Sequence, residues 1–144
     1  MSEYSDFPKD FLKRTLSIVE NYKGEYDVTN LINCCLGLII IPKQLLIDSL
    51  PDYTFSDNDK TFSIDKKSLK FIEDNDFSIK NVLRHIRNGL SHGRIEQKTS
   101  NHRIIGIRIF DKYNRNSSEN FCLELSIDEL KGFSLKLAEY FIGR

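Results

Sequence analysis

The sequence predicts a mainly α-helical fold, an antiparallel bundle of four to five helices with a β-hairpin at about residues 103–125 before the last helix. Three observations support this. Apolar residues recur at helical spacing over most of the chain. Between residues 103 and 125 the pattern changes to β-branched, alternating residues. A chain of 144 residues with 40% hydrophobic residues can bury one core, so we expect residues 1–144 to form a single domain.

The first two helices are predicted in the N-terminal third. The first extends over about residues 7–22, with Asp6 as N-cap and Pro8 in its first turn. The second covers about residues 28–41 and is apolar on nearly every side. A helix of that kind is typical of the centre of a bundle, and we expect it there.

The segment after the second helix is less regular. Pro42 either kinks that helix or begins a new segment that carries Leu45, Leu46 and Leu50. Residues 52–65 are polar and predict a loop, and a short helix is predicted over residues 66–73.

The C-terminal half contains the clearest boundaries. Ser78 is a favourable N-cap for a helix over residues 79–92, and Gly93 is suited to the position that follows a helix end. Two alternating segments, 103–110 and 120–125, predict the hairpin. The pattern of residues 126–129, with Ser first and Glu three positions later, predicts a capping box and a closing helix to about residue 141.

The charges balance over the whole chain but not along it. Lys and Arg number 21, as do Asp and Glu. Residues 80–115 nevertheless carry nine Lys and Arg, all three histidines and only two acids, Glu96 and Asp111. Such a basic sector either attracts a polyanion or consists of ordinary solubilising charges, and composition alone leaves both open.

Cysteine usage and hydropathy bear on location. Three cysteines, Cys34, Cys35 and Cys122, do not make a disulfide framework, and we expect buried small residues in a reducing cytoplasm. The N-terminus lacks a basic start followed by an apolar stretch, and the longest apolar segment, 31–41, is too short to span a bilayer. We therefore expect a cytoplasmic protein with no membrane partner.

The predicted helix over residues 79–92 separates cleanly into two faces when successive residues are placed 100° apart. One face is apolar and sufficient to pack on a core. The opposite face is polar and consists of Arg84, Arg87, Asn88, Ser91 and His92.

Several features of this helix favour a functional role for its polar face. Gly89 lies inside the helix, where it costs about 1 kcal/mol relative to Ala, which indicates close approach of another backbone or a ligand. His92 lies in the last turn, where the helix dipole favours a protonated ring. Arg87 offers a planar fork for phosphate, and Asn88 is a surface neighbour of His92 four residues on.

The run from Arg87 to His92 resembles the active-site motif of HEPN-domain ribonucleases. In that motif an Arg, usually followed by Asn, His or Asp, precedes a His near a helix end by four to six intervening residues. Here four residues separate Arg87 from His92, and Asn88 holds the polar position. Residues 85–94 also resemble the small stand-alone HEPN proteins of bacterial defence and plasmid loci, in which a β-hairpin and a last helix follow the motif helix.

The resemblance implies RNA cleavage without a metal, in which a 2′-hydroxyl attacks the neighbouring phosphate and leaves a 2′,3′-cyclic phosphate. His92 is then the general acid or base, Arg87 stabilises the phosphoryl oxygens, and Asn88 orients His92 or the phosphate. It also implies a homodimer through the motif helix, with the motifs of two protomers lining one composite site. The further substrate-binding residues that we expect are Arg84, Ser91 and Arg94.

The remaining histidines and the chain as a whole are also compatible with other roles. His85 and His102 do not fit the motif, so we expect surface or interface residues there. A zinc site built from the three histidines is disfavoured by their spacing, so we expect no metal and no cofactor. Two alternatives stay open: a non-catalytic dimer that binds RNA, nucleotide or a protein partner, and a toxin held silent by an antitoxin or regulatory protein.

Overall fold

The computed structural model describes residues 6–25, 27–45 and 49–143, without the side chains of residues 8 and 41–45. The helices are α1 (Phe7–Asn21), α2 (Asp27–Leu45), α3 (Ile79–Ser91) and α4 (Ile127–Ile142). The strands are β1 (Leu69–Ile72), β2 (Ile95–Ser100), β3 (Arg103–Lys112) and β4 (Glu119–Ser126). A 3₁₀ turn at Lys66–Ser68 leads into β1.

The prediction of a mainly α bundle with one hairpin is wrong. The helices pack with a four-stranded antiparallel sheet in the order β1-β4-β3-β2. The two predicted hairpin strands do pair, as β3 and β4, with Ile109 opposite Leu123. The sheet extends beyond them on both sides, because β1 pairs with β4 and β2 pairs with β3.

The two outer strands were missed for different reasons. Residues 66–73 were predicted as a short helix, but Lys66–Ser68 form a 3₁₀ turn and Leu69–Ile72 form β1. The pairing of β1 with β4 shifts register between Leu69 and Phe71, so Leu69 and Ile72 are both buried although they are three residues apart. β2 is an edge strand with almost every residue exposed, so it lacks an apolar alternation by which to recognise it.

The N-terminal helices largely follow the sequence. α1 begins after Asp6, but the Asp6 side chain makes no capping bond, and its backbone N–H donates to Asp10 Oδ2 instead (3.0 Å). α2 continues through Pro42 to Leu45, so Pro42 does not start a separate segment, while Leu46 lies outside the described residues. α2 contacts each of the other three helices, as expected for a central helix. Within the described ranges no helix is long and apolar enough to cross a bilayer.

The core lies between the helices and one face of the sheet. β3 and β4 contribute alternate residues, Ile107 and Ile109 from one and Leu123 and Leu125 from the other, all nearly inaccessible. The opposite sheet face carries ion pairs, including Lys98 Nζ with Glu124 Oε1 (2.9 Å), next to the apolar residues Phe71, Phe110 and Cys122. The sheet is therefore covered by helices on one face and open on the other.

The capping box predicted at the start of α4 is confirmed. Glu129 N–H donates to Ser126 Oγ (3.1 Å), and Ser126 N–H donates to Glu129 Oε1 (2.9 Å).

The three cysteines form no disulfide. Cys35 and Cys122 are buried, Cys34 is half-buried, and all three thiols are free. Burial raises the pKa of the Cys35 thiol from 9.0 to about 11.

Candidate active site

Helix α3 has defined boundaries at both ends. Ser78 Oγ accepts a hydrogen bond from Asn81 N–H (3.3 Å) at the first turn. At the other end Gly93 adopts φ +69°, Gly93 N–H donates to the Leu90 carbonyl (3.1 Å), and Arg94 N–H donates to the Gly89 carbonyl (2.8 Å). This pair of bonds is a Schellman motif, which confirms the role predicted for Gly93 and turns the chain sharply into β2.

Gly89 marks the point at which α3 touches the sheet. A Cβ built on Gly89 would lie 2.3 Å from the backbone oxygen of Phe110 and 3.3 Å from Ile109 Cγ2. The predicted close approach of another backbone is thus confirmed, and that backbone belongs to β3. A second bond, from Phe110 N–H to the Arg94 carbonyl (3.1 Å), holds the end of α3 against the same strand. The last turns of α3 are therefore fixed relative to the sheet.

The predicted catalytic side chains lie on these last turns. Arg87 and Asn88 are half-buried and joined by a hydrogen bond from Arg87 Nη2 to Asn88 Oδ1 (3.0 Å). His92 is exposed at the C-cap, and its backbone N–H donates to the Asn88 and Gly89 carbonyls (3.3 and 3.2 Å). Among the described residues its imidazole has no hydrogen-bond partner. Ser91 is exposed and donates from Oγ to the Arg87 carbonyl (2.8 Å).

The two other predicted substrate-binding residues differ in accessibility. Arg84 is exposed, and its Nη2 donates to Asn81 Oδ1 (2.7 Å). The Arg94 side chain is only 14% exposed, pairs with Asp111 Oδ1 (3.4 Å) and donates to the Lys112 carbonyl (3.1 Å). The structure therefore brings Arg84 to the same surface as Asn88, whereas the guanidinium of Arg94 is held against β3.

His85 is not the surface or interface residue that the sequence suggested. It is 4% exposed, and its ring stacks on Phe121 with centroids 4.8 Å apart and an interplanar angle of 6°. His85 Nδ1 lies 2.8 Å from Asp111 Oδ2, and Nε2 lies 3.1 Å from Arg84 Nη2. Because a guanidinium only donates, Nε2 accepts from Arg84 and Nδ1–H donates to the carboxylate. His85 thus links the buried Asp111 to the exposed Arg84.

A cleft of about 170 Å³ opens beside the motif, between α3 and the ends of β3 and β4. Arg84, His85 and Asn88 line it from the helix, and Asp111 and Asn120 line it from the strands. Asn88 is the residue that this cleft shares with the motif. The cleft therefore continues the surface that carries Arg87 and Asn88.

Sequence reasoning missed His85, Asp111 and Asn120 as site residues, although one signal was present. Asp111 is one of only two acids in the basic sector, and it occupies the next inward position on β3 after Ile107 and Ile109. A charged residue at a buried strand position requires a partner. That partner, His85, is 26 residues away, and the pairing depends on the packing of α3 against β3.

The surface around α3 carries acidic as well as basic groups. Near the start of α3, Ser78 N–H donates to Asp76 Oδ1 (3.0 Å), and this backbone bond lowers the pKa of the Asp76 carboxyl. His102 lies apart from the motif, exposed in the turn between β2 and β3 with φ +65°. Over the part of the chain that the structure describes, no three His, Cys, Asp or Glu side chains are grouped to hold a metal ion.

Comparison with protein-family models gives a match over nearly the whole chain. The family model described as HEPN pEK499 p136 matches residues 1–143 of the chain. No curated protein matches, and no solved structure matches. The match covers all of the elements described above, including both the motif helix and the sheet.

Proposed function

The chain belongs to the HEPN family that this model describes, and from that premise we propose that it is a metal-independent endoribonuclease. The observation that carries the proposal is the arrangement at the end of α3. Arg87 and Asn88 are joined, His92 is exposed one turn further on, and Gly89 between them fixes the helix against β3. A cation, an amide and an imidazole are thus presented on one rigid element, which is a favourable support for a catalytic site.

The proposed reaction is attack of an RNA 2′-hydroxyl on the adjacent phosphate. His92 removes the 2′-proton or protonates the leaving 5′-oxygen, a role typically worth about 10²–10⁴ in rate. Arg87 donates to the phosphoryl oxygens as charge develops there. The bond from Arg87 Nη2 to Asn88 Oδ1 restricts the guanidinium and leaves its other N–H groups available to a phosphate. The products are a 2′,3′-cyclic phosphate and a free 5′-hydroxyl.

The proposed site is completed by a second protomer. His92 is exposed and Arg87 is only half-buried, so a single chain leaves the motif largely open to water. Pairing of two copies through α3 would bring two motifs to one cleft and exclude water from it, which strengthens electrostatic interactions there. We propose a homodimer of this kind acting on RNA in the cytoplasm, as a toxin or defence nuclease that an antitoxin or regulatory protein restrains.

The test is RNA cleavage by purified protein with matched control variants. Arg87→Ala and His92→Asn should each lower cleavage by at least about 10²-fold without changing the circular dichroism spectrum. Arg103→Ala and His102→Asn replace the same residue types at exposed positions of the β2–β3 region and should retain wild-type cleavage. Full cleavage by either motif variant would contradict the proposal. RNA binding without cleavage in the wild type would favour the non-catalytic alternative.

A further inference from the structure

The cleft beside the motif contains a buried acceptor without a partner. Asn120 is 5% exposed, and its Oδ1 accepts no hydrogen bond from any described residue. Its position is fixed, because its backbone carbonyl accepts from Glu73 N–H (3.0 Å). Buried side-chain acceptors in folded proteins are nearly always paired, so an unpaired one at a cleft points to a missing donor.

The inner wall of the cleft is rigid and internally satisfied. His85 is stacked on Phe121 and bonded through both ring nitrogens, to Asp111 and to Arg84. The Asp111 carboxylate also accepts from the Lys112 backbone N–H (2.9 Å). His85 and Asp111 therefore have no free donor to offer Asn120 Oδ1, which leaves this acceptor without a donor from the inner wall of the cleft.

The rim of the cleft favours a ligand with N–H donors over a bare phosphate. Glu73 and Asp74 place two carboxylates there, and Arg84 and Lys112 place two cations. Asp74 accepts from the Asp76 backbone N–H (3.1 Å) and, over longer distances, from Asn81 Nδ2 (3.3 and 3.4 Å), whereas the Glu73 carboxylate has no partner among the described residues. Two carboxylates repel a phosphate but accept readily from amide and amino N–H groups.

The size and the outer edge of the cleft favour a flat ring system. A volume of about 170 Å³ is below the roughly 300 Å³ at which pockets for drug-sized ligands begin, so it suits a base rather than a whole nucleotide. Tyr113 lines the cleft and is 76% exposed, which leaves its ring free to stack on an unstacked base. The planar guanidinium of Arg84 offers a second stacking surface.

We propose that this cleft binds one unstacked guanine base of the RNA substrate, next to the phosphate that Arg87 holds. The N1–H and N2–H groups of guanine donate to the Glu73 carboxylate and to Asn120 Oδ1, and Tyr113 stacks on the ring. Adenine, cytosine and uracil lack this adjacent pair of donors on their pairing edges. Asn88, which lines the cleft and bonds Arg87, joins the base site to the phosphate site. The inference rests on the proposed ribonuclease function.

The experiment has a binding arm and a cleavage arm. In the binding arm, full-length protein is titrated with the 5′-monophosphates of guanosine, adenosine, cytidine and uridine, and affinity is measured by calorimetry. Guanosine monophosphate should bind at least about fivefold more tightly than the others. Glu73→Gln should remove this preference, whereas Glu20→Gln, an exposed carboxylate on α1, should leave it unchanged. Tyr113→Ala should weaken all four nucleotides.

In the cleavage arm, single-stranded RNAs that differ at one nucleotide are cut by the wild type and by Glu73→Gln. The wild type should prefer guanine next to the cut by at least about fivefold, and Glu73→Gln should cut all four RNAs at similar rates. Cleavage without base preference, together with equal nucleotide affinities, would overturn the guanine site and leave the nuclease standing. Guanosine-selective binding without any cleavage would support the site and contradict the nuclease.

Discussion

Replacing Gly89 with alanine has two opposing effects on the free energy of unfolding, and the size of each is known. Alanine is favoured over glycine inside a helix by about 1 kcal/mol, so α3 alone would gain stability. The new Cβ, however, would lie 2.3 Å from the Phe110 carbonyl oxygen. That oxygen belongs to β3, which is paired on both sides, so it cannot move away easily. Overpacking of this kind costs about 1–3 kcal/mol, and a backbone obstacle places it near the upper value.

We therefore expect Gly89→Ala to lose about 2 kcal/mol of unfolding free energy and about 6 °C in Tm. Gly37→Ala in α2 is the matched control, because the nearest atoms to its Cβ are in the Phe11 ring at 3.6 Å, an ordinary contact. The control should gain about 0.5–1 kcal/mol. Urea unfolding of both variants measures the difference. A Gly89→Ala variant as stable as the wild type would refute the close packing of α3 on β3.

Three further changes test particular contacts. Asn120→Leu removes a buried acceptor that lacks a partner and should raise the unfolding free energy by about 1 kcal/mol in urea; a loss would contradict the missing bond. Ser126→Ala removes a capping-box oxygen and should cost about 1 kcal/mol, so an unchanged urea midpoint would contradict the cap. Burial raises the pKa of the Cys35 thiol to about 11, so the unfolded thiol ionises first and stability should fall between pH 9 and 11. The unfolding free energy of Cys35→Ala should fall less steeply over that pH range, and a slope equal to that of the wild type would contradict the raised pKa of Cys35.

Local signals predicted those elements whose pattern follows from their own residues. The amphipathic pattern of α3 and the capping box at Ser126 both depend on neighbours within one or two turns, and both are confirmed. β1 and β2 depend on partners far along the chain. The spacing of Leu69 and Ile72 fits a helix as well as a bulged strand, and the polar β2 is held by pairing with β3. The prediction of a mainly helical fold was therefore wrong at β1 and β2, whose structure depends on pairing with other strands.

The residues of the candidate site also include some that local sequence indicates and others that only the packing of the chain brings together. Arg87, Gly89 and His92 lie within six residues on one helix, so the local sequence was sufficient to predict them together, and the close packing predicted from Gly89 is confirmed. The contact of His85 with Asp111 joins residues 26 apart, and only the packing of α3 on β3 brings them together. On a helical wheel His85 adjoins both the polar and the apolar face, and burial alone shows which role it has.

The products of RNA cleavage, and their dependence on the 2′-hydroxyl, decide whether the proposed reaction takes place. The wild-type protein is incubated in EDTA with a single-stranded RNA and with the same RNA carrying one 2′-deoxynucleotide at the cleaved position. We expect the RNA to be cut in EDTA to a product with a 2′,3′-cyclic phosphate, the deoxy substitution to block the cut, and His92→Asn to be inactive on both RNAs. Cleavage that stops in EDTA, or that proceeds at the deoxynucleotide, would contradict metal-independent attack by the 2′-hydroxyl.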